Sequence, residues 1–124
     1  MTDSPRFSVR FDEEAFAEDL GHATAAGREV SRRERARMER EGISPRELRA
    51  CEAEGRDGTR LGGCVKTYLP QPDGDWGMVF TGDVDATGAP VLVYVAFGSR
   101  HPTRPWQPSV YQVADRRLHP PDTH

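Results

Sequence analysis

The sequence has few of the features that mark secreted, membrane-spanning or disulfide-linked proteins. Its 124 residues include two cysteines, Cys51 and Cys64, which are too few for a disulfide framework. No apolar run approaches the roughly 18 residues that a membrane-spanning helix requires. The first residues, MTDSPRF, lack the apolar segment of a signal peptide. We therefore expect a cytoplasmic protein that makes no membrane contact.

Lysine is nearly absent, since the chain has 16 arginines and a single lysine, Lys66. The formal net charge of -3 hides an uneven distribution. Residues 12–19 carry five acids and no base, residues 28–40 carry six arginines against three glutamates, and residues 100–119 carry four arginines against one aspartate. A mildly acidic chain with basic segments of this kind does not exclude a nucleic-acid partner.

The N-terminal part of the chain predicts a strand followed by a helix. Residues 7–11 alternate apolar and polar side chains, which is the period of a half-buried strand. Asp12 is a suitable N-cap for a helix that places Phe16 and Ala23 on one face. Gly27 is expected to interrupt or end this helix.

Two further helix starts are visible before residue 55. Ser31 and Glu34 have the spacing of a capping box, which predicts a second helix that ends at Gly42. Ser44 begins a stronger pattern, with proline and glutamate in the positions that favour a helix start, and predicts a short helix that ends at Gly55.

After residue 55 the sequence pattern changes from one typical of helices to one that predicts strands. Residues 63–69 and 76–81 are strand candidates separated by a turn over 70–75, and the apolar run 91–97 is expected to be the most buried strand. A capping box opens a terminal helix over 109–118.

These elements predict an α+β fold within a single domain, residues 1–119, followed by a flexible tail, residues 120–124. We expect an N-terminal strand, a helical hairpin of two or three helices, and a three-stranded antiparallel meander that completes a small sheet. The C-terminal helix follows the meander.

Three segments carry a resemblance to a known family. GCVKTYL, GDWGMVF and FGSRHPTRPWQPSVYQVADRRL are similar, in that order, to the strand motifs and the C-terminal ending of the RelE/ParE superfamily, the toxins of bacterial type II toxin–antitoxin pairs. The resemblance spans roughly residues 7–118 and implies the same fold. It implies a RelE-like endoribonuclease that cleaves mRNA on the ribosome without a cofactor or metal, and so inhibits translation.

The resemblance also implies site residues. By match to the family motifs, Lys66 falls on the strand lysine, Arg100 on the arginine after the central strand, and Tyr111 on the tyrosine that opens the last helix. A permanently charged guanidinium suits Arg100 to a phosphate clamp, with Lys66 as a second cation. Tyr111 would stack on a base or take part in proton transfer.

Two positions depart from the family pattern, and a long loop offers replacements. Tyr68 stands where the family has a second strand cation, and Gly77 stands where it has an arginine. The loop brings His101, a general acid or base candidate because imidazole exchanges protons near neutral pH. The predicted substrate-binding residues are those with stacking rings or cations around this site: Tyr68, Arg104, Trp106 and Arg117.

The implied partners are a cognate antitoxin, mRNA and the ribosome. Two alternatives remain open: a ParE-like inhibitor of DNA gyrase, and a degenerate, non-catalytic binding member of the family. In the degenerate case Lys66, Arg100 and Tyr111 would not converge in one cleft. A zinc site is not expected, because Cys51 and Cys64 stand outside any metal-ligand spacing.

Overall fold

A computed structural model describes residues 6–55, 58–69 and 75–121 and shows a mixed α+β architecture. The described chain forms three α-helices, one 3₁₀ turn and one five-stranded sheet. In chain order the elements are β1 (Ser8–Arg10), α1 (Glu13–Gly21), α2 (Ala25–Glu41), a 3₁₀ turn (Pro45–Glu47), β2 (Arg49–Ala50), β3 (Val65–Tyr68), β4 (Trp76–Val84), β5 (Pro90–Ser99) and α3 (Val110–Leu118). No helix in these ranges is long and apolar enough to cross a membrane.

The strands lie in the order β1-β5-β4-β3-β2. Strands β3, β4 and β5 pair antiparallel, as the expected meander requires. Strand β1 lies parallel to β5 and completes the sheet from the N-terminus. A fifth strand, β2, adds to the β3 edge. Because β5 is paired on both sides, its apolar run is the interior of the sheet.

A β-bulge in β5 sets which face each of its side chains covers. Val79 pairs with Ala96 but Phe80 pairs with Tyr94, which leaves Val95 as an extra residue. Tyr94 consequently packs with the helices α1 and α2, whereas Val95 and Ala96 both pack toward α3. The apolar run of β5 therefore serves both cores, and the bulge gives two consecutive residues to the same one.

The larger core lies between the sheet and the α1–α2 hairpin, and the smaller lies under α3. Buried residues of the larger core include Phe16, Val30, Met38, Ile43, Met78 and Phe80. Buried residues of the smaller core are Leu61, Cys64, Val79, Val95, Ala96, Val110 and Ala114.

A buried carboxylate joins the elements that border these cores. Asp19 of α1 is 5% exposed. It accepts hydrogen bonds from the Tyr94 hydroxyl at 2.5 Å, from the Phe97 backbone N–H at 3.0 Å and from both terminal nitrogens of Arg117 at 2.8 Å. Arg117 also donates to the carbonyl of the bulged Val95 at 2.8 Å. Every charge in this network is paired, which is the condition under which a buried ion pair is tolerated.

The α1–α2 hairpin neutralises most of its own charge. Arg35 of α2 pairs with Glu13 of α1 and with Glu39 one turn along its own helix. Arg37 pairs with Glu47 of the 3₁₀ turn at 2.7 Å. The acidic first helix and the arginine-rich second helix thus bind one another.

The helix starts were predicted correctly at Asp12 and incorrectly at Ser31. Asp12 caps α1, but α2 begins at the cap Thr24, and Ser31 is buried inside it. Gly27 also lies inside α2 and does not end a helix. It packs against the ring of Trp76, where a Cβ would lie 2.7 Å from the ring carbon Cζ2. Gly42 caps the C-terminus of α2 as expected, with a φ of 71° that favours glycine.

The predicted short helix between Ser44 and Gly55 is wrong beyond its first turn. The Ser44–Glu47 capping box forms, but it caps a single 3₁₀ turn. Leu48 is extended, and the next two residues pair with β3. The predicted turn at 70–75 lies, except for its last residue, outside the described residues, as do residues 122–124 of the predicted tail.

Candidate active site

Helix α3 brings Tyr111 over the strand that carries Lys66. The predicted capping box forms at the start of α3, since the Ser109 hydroxyl accepts from the Gln112 N–H at 3.2 Å and the Gln112 side chain accepts from the Ser109 N–H at 2.9 Å. The Nζ atom of Lys66 lies 4.8 Å from the centre of the Tyr111 ring and 5.7 Å from the centre of the Tyr68 ring. Both distances are within the range of a cation–π contact.

Arg100 is held at the end of β5 by contacts with three side chains. Its Nε donates to the Tyr111 hydroxyl at 2.9 Å, and its Nη1 donates to Asp75 at 2.7 Å. Its Cζ lies 3.7 Å from the centre of the Tyr68 ring. The stem of Arg100 passes over Gly77, where a Cβ would lie 3.0 Å from its Cγ. The glycine at position 77 therefore makes room for Arg100.

Asp75 is the residue that the sequence did not single out. Trp76 pairs with Ser99, so Asp75 is the next position along the ladder and faces Arg100, whose N–H donates to the Asp75 carbonyl at 2.7 Å. Its carboxylate contacts both Arg100 and the Nδ1 of His101. Burial raises the pKa of Asp75, but the hydrogen bonds with His101 and Arg100 outweigh it, so the net pKa lies below the usual value. The aspartates of the predicted turn before Trp76 were the available signal.

Lys66, Arg100 and Tyr111 border a cleft of about 700 Å³, which we call the Arg100 cleft. Its lining includes Lys66, Arg100, His101, Tyr111 and Gln112. Burial lowers the pKa of Arg100, but the contacts with Tyr111 and Asp75 raise it by a larger amount. The net pKa lies above the usual value, and the guanidinium remains charged. The described residues use two of its five donors, and the rest are available to a phosphate.

The Arg100 cleft also contains the Cys51 thiol, whose pKa is raised by burial. Burial, with a smaller contribution from Cys64, raises the pKa of Cys51 to about 11, so the thiol stays protonated at neutral pH. Among the described residues, no group of three or more His, Cys, Asp or Glu side chains is arranged to hold a metal ion.

The remaining predicted site residues line a second cleft, which we call the Trp106 cleft. It has a volume of about 520 Å³ and includes Arg104, Trp106 and Arg117. Tyr111 and Gln112 of α3 line the Arg100 cleft, whereas Val110, Val113 and Arg116 line the Trp106 cleft, so the two clefts flank the same helix. The structure thus brings together Lys66, Tyr68, Arg100, His101 and Tyr111 and sets apart Arg104, Trp106 and Arg117.

Comparison of the chain with models of protein families, with curated proteins and with solved structures gave no match. The resemblance to the RelE/ParE superfamily rests on the three sequence segments and on the order of the elements.

Proposed function

We propose that this protein is a RelE-like toxin, an endoribonuclease that cleaves mRNA on the ribosome without a metal and thereby inhibits translation. The observation that carries the proposal is the convergence of Lys66, Arg100 and Tyr111 in one cleft. Arg100 contacts Tyr111 directly, and Lys66 lies over the ring of the same tyrosine. For the degenerate alternative we expected these three residues not to converge.

The cleft holds the groups that phosphodiester cleavage by an internal 2′-hydroxyl requires. The 2′-oxygen forms a bond to phosphorus, the bond from phosphorus to the 5′-oxygen breaks, and one proton leaves the first oxygen while another reaches the second. Arg100 and Lys66 stabilise the charge that develops on the phosphorane. Tyr111 receives the Arg100 Nε–H, so its own O–H is free to donate to an oxygen of the substrate.

In this proposal the Nε2 of His101 takes the proton of the 2′-hydroxyl, and the Tyr111 O–H supplies the proton to the 5′-oxygen. The Nδ1 of His101 contacts Asp75, and the His101 side chain is 71% exposed, so Nε2 can reach a substrate oxygen. A carboxylate at one ring nitrogen fixes the tautomer and orientation of the imidazole, as it does in other acid–base sites. Asp75 is then a positioning residue that acts through His101.

The partner that we propose is an antitoxin segment that covers the Arg100 cleft. The charges of the α1–α2 hairpin are largely paired within the protein. The cationic cleft beside α3 is therefore the better site for an acidic or extended inhibitory segment.

The test is mRNA cleavage by the purified protein in a translation reaction with ribosomes, read by primer extension. We expect cleavage by the wild-type protein and a loss of about 100- to 1000-fold for Arg100→Ala, which removes a donor to the transition state. Arg33→Ala is the matched control, because it removes an arginine from the exposed face of α2 and should cleave normally. Intact mRNA with wild-type protein would refute the proposal, and inhibition of DNA supercoiling by gyrase in its place would favour the ParE-like alternative.

The contact between Asp75 and Arg100 favours a second candidate, a non-catalytic binding protein of the same superfamily. A carboxylate beside the guanidinium opposes the approach of a phosphate. If neither the wild-type protein nor Asp75→Ala cleaves mRNA in this assay, the non-catalytic binding protein is the preferred candidate.

A further inference from the structure

The Trp106 cleft has no role in the proposed cleavage step. Its floor includes Trp76 and Phe97, and its rim includes Arg104, Trp106 and Arg116. Trp106 is 77% exposed. A side chain of this size normally contributes much of its area to a core, and Trp106 contributes almost none.

The charges of this cleft favour an anionic ligand. Its two acids, Glu18 and Asp19, both pair with Arg117, at 3.4 and 2.8 Å. Arg104 and Arg116 form no salt bridge with any carboxylate of the described residues. Two cations beside an exposed indole match a nucleotide, whose base stacks while its phosphate is neutralised.

Arg104 and Trp106 are near each other, in the loop that follows Arg100. The Arg104 Cζ lies 5.9 Å from the centre of the Trp106 ring. Trp106 follows Arg100 by six positions, so their Cα atoms are at most about 22 Å apart. A single strand of RNA with one phosphate at Arg100 has its flanking nucleotides within that distance.

We propose that the Trp106 cleft binds a flanking nucleotide of the single-stranded RNA substrate, with the base stacked on Trp106 and the phosphate beside Arg104. This inference rests on the proposed endoribonuclease function and adds a subsite to it. The cleft thereby extends substrate contact beyond the scissile phosphate.

The test uses binding of fluorescein-labelled 2′-O-methyl RNA, which lacks the nucleophile and is not cleaved. For a nonamer we expect Trp106→Ala to raise Kd by about 5- to 100-fold, as loss of one stacking platform does. Trp106→Phe retains a ring and should stay within about threefold of wild type. For a 2′-O-methyl trinucleotide that fills the Arg100 cleft alone, Trp106→Ala should have no effect.

Val84→Ala is the matched control, since Val84 is also an exposed large apolar residue and lies at the end of β4 away from both clefts. It should bind the nonamer as wild type does. Thermal unfolding should show all three variants folded, because neither substituted side chain is buried.

Each outcome separates this inference from the proposed function. If wild type cleaves mRNA but Trp106→Ala binds the nonamer normally, or if wild type binds no nonamer, the subsite is wrong and the endoribonuclease is judged by its own assay. If Trp106→Ala loses nonamer binding but wild type leaves mRNA intact, the RNA subsite stands and the endoribonuclease fails. Loss of antitoxin binding by Trp106→Ala with unchanged RNA binding would also overturn the subsite, because the cleft would then dock a protein.

Discussion

Two aspartates each hold an arginine beside α3, and their surroundings differ. Asp19 is buried and accepts hydrogen bonds from a tyrosine, a backbone N–H and Arg117. The side chain of Asp75 is 44% exposed and contacts Arg100 and His101, which line the Arg100 cleft. The first carboxylate joins α1, β5 and α3, whereas the second orients side chains that still have donors for a ligand. An aspartate–arginine pair thus joins elements of the fold on one side of the helix and borders the candidate site on the other.

The largest expected effect is the loss of stability in Asp19→Ala. Removal of the carboxylate leaves Arg117 partly buried without its main partner, which lowers the free energy of unfolding by about 3–5 kcal/mol. Asp75→Ala should lower it by less than about 1 kcal/mol, because solvent screens this pair. Urea unfolding followed by circular dichroism measures both.

Glu18→Ala is the control for the Asp19 variant, because the Glu18 carboxylate also contacts Arg117 but is 64% exposed. Its effect should be below about 1 kcal/mol. Equal losses in the Asp19 and Asp75 variants would contradict the comparison.

The next effect is catalytic and concerns Asp75. In Asp75→Ala we expect kcat for mRNA cleavage to fall by about 10- to 100-fold, because His101 loses its orienting partner. We expect KM to fall as well, because Arg100 is released toward the phosphate. The fraction of the Nδ1–H tautomer of His101, measured by nitrogen NMR, should also decrease. A rise in kcat would show that Asp75 only obstructs the cleft.

The smallest effect is the pH dependence of stability. The pKa of Asp75 is lower in the folded protein than its usual value of about 3.9. Its contribution to stability is therefore present above about pH 4 and is lost as the pH falls through the lowered pKa. The difference in unfolding free energy between wild type and Asp75→Asn should be a few tenths of a kcal/mol at about pH 6 and should vanish at lower pH. Thermal unfolding across this pH range measures the difference. A difference in unfolding free energy that increases as the pH falls would contradict the prediction.

Local sequence patterns predicted where helices begin better than they predicted how long the helices are. The capping boxes at Ser44 and Ser109 both form, yet one begins a single turn and the other a helix of nine residues. The difference is tertiary, because the chain after Ser44 pairs with β3. Ser31 has the same spacing and caps nothing, since α2 had already begun at Thr24.

The residues of the candidate site could be named from the sequence, but their arrangement could not. The motif residues Lys66, Arg100 and Tyr111 were named from the sequence, and the fold places them in contact. Asp75 was missed because its position depends on register. Near the hairpin turn Val84 pairs with Pro90, and the same register carried down the strands would pair Asp75 with Ser99. The extra residue at Val95 shifts the ladder by one and brings Asp75 opposite Arg100.

The glycine at position 77 couples two strands. Any side chain there would occupy the space that the Arg100 stem now fills. A larger residue at position 77 is therefore expected to displace the Arg100 stem from its contacts with Tyr68 and Asp75. The absence of a side chain on one strand thus decides where the charge at the end of the next strand lies.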